Sequence, residues 1–313
     1  MAVVASDELI ARARRGDRRA TARLLSIVEN DEPSAAAIMR ELYRKAGKAR
    51  VIGITGPPGG GKSTLVNRLA GAFREGGARV AIVAVDPSSP FTGGALLGDR
   101  IRMQERALDD GTFIRSMATR GHPGGLARAT DRVVNVLDAL GTEVVLLETV
   151  GVGQEEVDVA RVAETVCLVT VPGLGDDIQA IKAGVLEIAD VLVVNKADRP
   201  GADDVARDLA QMLSLAKDRE WKPPIVRTSA TTGDGIPQLV DAIARHGEWA
   251  RTSGELRGRR ERAARAEVEE LLRERLLRQL EGRIGQSNLA AAVRRVADRE
   301  ADPYTAVDEL LQT

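Results

Sequence analysis

The chain of 313 residues contains a single cysteine, Cys167, and two histidines, His122 and His246. An intramolecular disulfide is therefore impossible, and a zinc or iron–sulfur centre lacks its usual ligands. Only seven residues are aromatic, too few for the stacking platforms with which proteins hold single strands of RNA or DNA. Charge of one sign is also missing: 45 Lys and Arg stand against 46 Asp and Glu, so there is no global basic footprint for nucleic acid. No apolar run approaches the roughly 18 residues of a membrane span, and the opening MAVVASDELIARARRGDRRA meets charge before a signal-peptide core could form. These absences predict a cytoplasmic protein with no nucleic-acid and no membrane partner. The five arginines between Arg12 and Arg19 fit a solvated helix face better than a DNA contact.

What is present is an alternation of short apolar runs with longer amphipathic stretches. The runs are 51-VIGIT, 79-RVAIVAV, 143-EVVLLET, 165-TVCLVTV, 190-DVLVVN and 225-IVRTS. Each is rich in Val and Ile, too short for a typical helix and apolar enough to be buried on both faces. Six strands joined by helical crossovers predict an α/β fold, a doubly wound, mostly parallel sheet, over residues 48–248. Residues 1–47 read as a helical extension, with helices over 6–29 and 34–47. Residues 249–313 read as a helical arm, in which Val268, Leu272, Leu276, Leu280 and Ile284 recur every four positions. An apolar stripe of that length needs cover, from a second copy of the chain or from the parent domain, and the spacing leaves both open.

Between the first strand and the next helix stands Gly56-Pro57-Pro58-Gly59-Gly60-Gly61-Lys62-Ser63, followed by Thr64. This G-x-x-x-x-G-K-[ST] spacing lets backbone N–H groups converge on phosphate oxygens. The helix N-terminus adds positive potential, Lys62 neutralises outer phosphates, and Ser63 offers a hydroxyl to Mg2+. Asn195-Lys196-Ala197-Asp198 follows the strand DVLVV. A carboxylate there can accept from both the ring N–H and the exocyclic amine of guanine, whereas adenine has no such donor pair on that edge, so GTP is expected over ATP. Ser229-Ala230 lies at the next strand end and resembles the S-A element of GTPases that contacts the guanine carbonyl through backbone N–H.

Two acids end strands on the same edge: Asp86 after RVAIVAV, and Glu148 in Glu148-Thr149-Val150-Gly151. Both are candidates to hold a metal or its waters. Asp99 is either a switch residue or a helix N-cap, Gln154 reads as an exposed polar loop residue, and both histidines read as structural.

Taken together, GPPGGGKST, VDPSSPFTGGALLGDRIRM, RSMATRGHPGGLA, ETVGVGQEEVDV and NKAD resemble the MeaB/ArgK/MMAA family of P-loop GTPases, the chaperones of adenosylcobalamin-dependent acyl-CoA mutases. The resemblance implies slow, Mg2+-dependent hydrolysis of GTP to GDP, a homodimer formed through the C-terminal arm, and no directly bound cobalamin. It implies that Gly56 to Thr64 bind phosphate and that Asp86, Asp99 and Glu148 order Mg2+ with Ser63. Asn195, Lys196, Asp198, Ser229 and Ala230 would then surround guanine. Segment 171–182 resembles an additional switch in which Gln179 and Lys182 couple partner to nucleotide. Methylmalonyl-CoA mutase is the expected partner; isobutyryl-CoA or 2-hydroxyisobutyryl-CoA mutase is an alternative. A nickel-delivering GTPase is disfavoured by the shortage of Cys and His, and an ATP-dependent kinase by NKAD.

Overall fold

A computed structural model describes residues 2–86, 109–118, 125–149, 155–173, 185–215 and 219–312. Seven parallel strands form one sheet: β1 (Arg50–Thr55), β2 (Val80–Asp86), β3 (Thr112–Ala118), β4 (Val144–Thr149), β5 (Thr165–Thr170), β6 (Val191–Val194) and β7 (Ile225–Arg227). Their order is β3-β2-β4-β1-β5-β6-β7. β1 lies between β4 and β5, so the chain leaves its carboxyl end where the winding reverses, the place at which such sheets bind ligands.

Six of these strands coincide with the apolar runs; β3 was not expected. Its sequence, TFIRSMA, is interrupted by Arg115 and Ser116, which an edge strand tolerates because, among the described residues, one of its sides carries no neighbouring strand. The Arg115 guanidinium pairs with Glu29 and donates to the Ser26 hydroxyl, so the polar break is neutralised by the helix packed over it.

The N-terminal helices are α1 (Ala2–Arg14), α2 (Arg18–Glu29) and α3 (Ala35–Leu42). A continuous helix over 6–29 is thus corrected to two. Gly16 adopts φ 87°, and the Asp17 carboxylate accepts from the N–H groups of Arg19 and Ala20, capping a fresh helix. The second expected helix, 34–47, stops at Leu42 and tightens into a 3-10 turn, Tyr43–Lys45.

The remaining helices of the first unit are α4 (Lys62–Glu75), α5 (Gly125–Ala139), α6 (Glu155–Val162), α7 (Val185–Ile188), α8 (Ala202–Leu215) and α9 (Ile236–Ser253). Alternate strand residues feed opposite faces. Ala81, Val83, Val85, Val145 and Leu147 pack under α2, α3 and α5. Ile52, Ile54, Ile82, Leu146, Val169 and Val193 pack under α4 and α9. Each such aliphatic side chain, fully buried, contributes roughly 1.5–3 kcal/mol. Cys167 lies in the second core, where burial pushes its thiol up and keeps it unreactive.

At the amino edge of the sheet a buried polar cluster includes His246. Asp190 accepts from Arg259 through both carboxylate oxygens, at 2.7 and 2.8 Å, and from the Val166 N–H. His246 Nε2 lies 3.2 Å from Asp190, and its other ring nitrogen is 2.8 Å from the Thr165 hydroxyl. Trp221 and Trp249 pack on the imidazole at centroid distances of 5.1 and 5.6 Å. His246 is therefore structural; His122 lies outside the described residues.

Contacts divide the chain into two compact units, Met1–Arg260 and Glu261–Thr313, with α10 (Glu255–Ile284) beginning in the first. In the second unit α11 (Gln286–Ala297) packs on α12 (Pro303–Leu311) through buried Ala292 and Ala306, and Arg295 pairs with Glu309. Along α10, Val268, Leu272, Leu276 and Leu277 are each at least half exposed. Among the described residues, no helix is long and apolar enough to cross a membrane.

Candidate nucleotide site

The loop after β1 is shaped by glycines at positions where a side chain would be strained or blocked. At Gly56, with φ 137°, a Cβ would stand 2.1 Å from the Val169 carbonyl oxygen. At Gly61, with φ 82°, it would meet the Asn195 amide at 2.6 Å. Gly61 is also the residue before α4, so the loop delivers its N–H groups to the positive end of a 14-residue helix. Lys62, the first helical residue, is buried, and its ammonium donates to the carbonyls of Gly56 at 2.7 Å and Pro57 at 3.0 Å.

Ser63 and Glu148 meet although 85 positions separate them: the serine hydroxyl donates to Glu148 Oε1 at 2.5 Å. The register places Glu148 of β4 beside Ile54 of β1, directly before the loop. Thr55 and Thr149, fully buried at the same strand ends, are linked through their hydroxyls. Ser63 and Glu148 thus set two hard oxygen donors side by side, a donor set that fits a divalent cation of the Mg2+ type. Asp86 closes β2, in register with Ala118, but its side chain lies outside the described residues. Asp99, Gln154, Gln179 and Lys182 also lie outside them.

The Asn195–Asp198 turn is bonded to the phosphate loop. Asn195, almost fully buried, donates to the Gly60 carbonyl at 2.9 Å and accepts at 3.1 Å from both the Thr228 hydroxyl and the Ala230 N–H. Its amide therefore joins two loops. Lys196 takes the left-handed φ of 56° and donates to the Gly59 carbonyl at 2.7 Å, a backbone cost met at functional turns. Asp198 is exposed. A hydrogen bond from Ser229, its own N–H and the charges of Arg199 and Lys196 hold its carboxyl below the ordinary range. It is therefore ionised at neutral pH, an acceptor for two N–H donors.

The described loops thus bring the glycine-rich loop after β1 and the Asn195–Asp198 turn together on one sheet edge. A family model described as methylmalonyl-CoA mutase-associated GTPase MeaB matches residues 21–284. The chain belongs to the MeaB family of GTPases. A Pyrococcus abyssi protein that carries a GTPase name is 51% identical over 98% of this chain and 96% of its own. GTPase ArgK of Escherichia coli is 37% identical over 75% of this chain and 74% of its own. The mitochondrial methylmalonic aciduria type A homolog of Mus musculus is 34% identical over 83% and 64%. A crystal structure described as LAO/AO transport system kinase superposes with a TM-score of 0.72 at 26% identity, covering 99% of this chain and 98% of that one. This MeaB-family chain is accordingly a P-loop GTPase that hydrolyses GTP.

Two contributors escaped the sequence reading. Thr228 bonds Asn195, and Arg68 of α4 donates to the carbonyls of Ala230 and Thr231. Neither belongs to a motif with fixed spacing, so nothing in one sequence marks them.

Proposed function

We propose that this GTPase is a chaperone of an adenosylcobalamin-dependent acyl-CoA mutase, with methylmalonyl-CoA mutase the first choice, and that it uses GTP hydrolysis to govern loading, protection and reactivation of that enzyme. The observation that carries the reading is the match of a mutase-associated family over residues 21–284, together with a guanine-type turn bonded to a phosphate loop.

In this reading Lys62 exchanges its carbonyl partners for the outer phosphate oxygens, and the N–H groups of Gly59 to Thr64 hold the remainder. Asp198 accepts from guanine while Ser229 and Ala230 border its carbonyl edge. Ser63, Glu148, Asp86 and Asp99 would hold Mg2+ or its waters. The bound ion offsets phosphate charge. Gln179 and Lys182 couple the mutase to the nucleotide; such coupling requires the partner to favour one arrangement of the site over another. The arm over 249–313 forms a homodimer, a role supported by the exposed Val268, Leu272 and Leu276. The chaperone works in the cytoplasm without binding cobalamin itself.

The test is GTP turnover with and without purified methylmalonyl-CoA mutase, and gel filtration of the mixture with a nonhydrolysable GTP analogue. Faster turnover and a shared peak are expected. If neither occurs with that mutase or with the isobutyryl-CoA and 2-hydroxyisobutyryl-CoA enzymes, the chaperone reading falls while the GTPase stands.

A further inference from the structure

The side chain of Arg68 reaches from α4 to the loop after β7, 162 positions away in sequence. Its Nε donates to the Ala230 carbonyl at 2.9 Å and one terminal nitrogen donates to the Thr231 carbonyl at 2.6 Å. Both acceptors are backbone oxygens, and Arg68 makes no salt bridge among the described residues. A charge-assisted donor directed at two consecutive carbonyls fixes the orientation of the peptide units between them more firmly than a neutral bond would. The same Ala230 peptide is held from its other side, where its N–H donates to Asn195 at 3.1 Å.

These contacts close a circuit. α4 begins at Lys62 and Ser63, in the phosphate loop. Six residues later, about 9 Å along the helix axis, Arg68 holds the Ser229–Ala230 loop. That loop is bonded through Asn195 to Gly60, and Lys196 is bonded to Gly59, which returns the circuit to the phosphate loop. One rigid helix therefore sets the distance between the phosphates, at its N-terminus, and the base loop, on its flank.

We infer that Arg68 is a specificity-determining positioning residue, which clamps the Ala230–Thr231 backbone to α4 so that the loop meets the carbonyl edge of guanine in fixed register with the bound phosphates. This rests on the assignment of Asp198 and Ala230 to the base. Arg68 spends its described hydrogen bonds on these two backbone carbonyls, so its role is one of positioning. Its contribution is preorganisation: without it the loop samples other positions, and ordering it on binding costs affinity. The cost falls on guanine selectively, because guanine presents a carbonyl oxygen on the edge this loop borders, whereas adenine presents an amino group there.

The test measures dissociation constants of GDP and ADP, by competition against a fluorescent nucleotide, for the wild type and for Arg68→Ala, Arg68→Lys and Asp198→Asn. Arg68→Ala is expected to weaken GDP about tenfold, the equivalent of about 1.4 kcal/mol, and to narrow the GDP-over-ADP ratio by a similar factor. Arg68→Lys, which keeps a cationic donor, recovers part of that ratio. A purely structural role would weaken both nucleotides alike. If the ratio is unchanged in both Arg68 variants while Asp198→Asn lowers it, Arg68 does not position the loop and the base assignment stands. If Asp198→Asn also leaves the ratio unchanged, the base assignment fails and this inference with it. Should Arg68→Ala fail to fold, Arg68→Lys alone decides, since an unaltered ratio and unaltered GDP affinity there, where a single ammonium nitrogen replaces the two guanidinium nitrogens that hold the carbonyls, overturn the clamp.

Discussion

Asn195 donates its amide N–H to the Gly60 carbonyl at 2.9 Å, so the residue that opens the Asn195–Asp198 turn is also a strut of the glycine-rich loop after β1. Replacing it by Ala removes that bond and the two that its oxygen accepts, and leaves buried partners unsatisfied. Asn195→Ala is expected to destabilise the fold by roughly 2–3 kcal/mol and to weaken GDP binding by about tenfold or more. Urea unfolding and nucleotide titration read the two effects separately. Unaltered GDP affinity would mean that the loops hold their positions without the strut.

Glu148 lies against Ser63 with almost no exposure to solvent. Glu148→Gln keeps an oxygen for the serine hydroxyl but removes the charge. The Mg2+ concentration for half-maximal GTP turnover is expected to rise roughly 10- to 100-fold, the scale on which altered metal surroundings act. A Mg2+ titration of turnover that superposes on the wild type would remove Glu148 from the ion's surroundings.

At the other edge of the sheet, burial pushes the Asp190 carboxyl up, but hydrogen bonds from His246 and Arg259 outweigh it and leave the group below its ordinary 3.8. A carboxyl lowered on folding stabilises the native state above its unfolded pKa and loses that contribution as pH falls through the folded value. Asp190→Asn is expected to cost about 3 kcal/mol at pH 7 by removing the charge that faces both terminal nitrogens of Arg259, which then keeps, among the described residues, only Glu255 and the Glu164 carbonyl. The difference from the wild type narrows as pH falls below about 4, the unfolded value, toward the lower folded value at which the native carboxyl takes up its proton. Denaturant unfolding at pH 7 and near pH 3 checks both statements, and a difference that widens in acid contradicts them.

Leu276 is 50% exposed on α10, so a charge there costs a single chain little, within roughly 0.5 kcal/mol. If the arm pairs with a second copy, Leu276→Glu places two charges in an apolar seam. Light scattering after gel filtration is expected to show a dimer for the wild type and a monomer for the variant, with thermal unfolding of the first unit unaltered. A variant that remains dimeric moves the interface elsewhere.

How far the sequence could be read depended on distance along the chain. β1, β4 and β5 announced themselves because burial on both faces makes them continuously apolar. β3 hid its periodicity behind Arg115, whose charge is answered by Glu29 from a helix 86 positions away. The glycine-rich loop after β1 and the Asn195–Asp198 turn were placed at strand ends for a related reason: each pattern is contained in a few consecutive residues. Arg68 and Thr228 act across the fold, through backbone carbonyls and an amide that no spacing rule reaches. The break at Gly16 and Asp17 was written locally, as a glycine before a capping carboxylate, yet the apolar pattern on either side runs through it.

Both tryptophans of the chain, Trp221 and Trp249, pack against His246 at the start of β5, their own rings 5.3 Å apart. The six residues of β5 carry the chain about 17 Å from there toward the nucleotide loops. Intrinsic fluorescence of this protein is therefore a single-ended optical gauge. It registers solvent entry around His246 and the seating of Arg259 on Asp190, while a nucleotide at the opposite edge gives a signal only if the strain it imposes travels the length of the sheet.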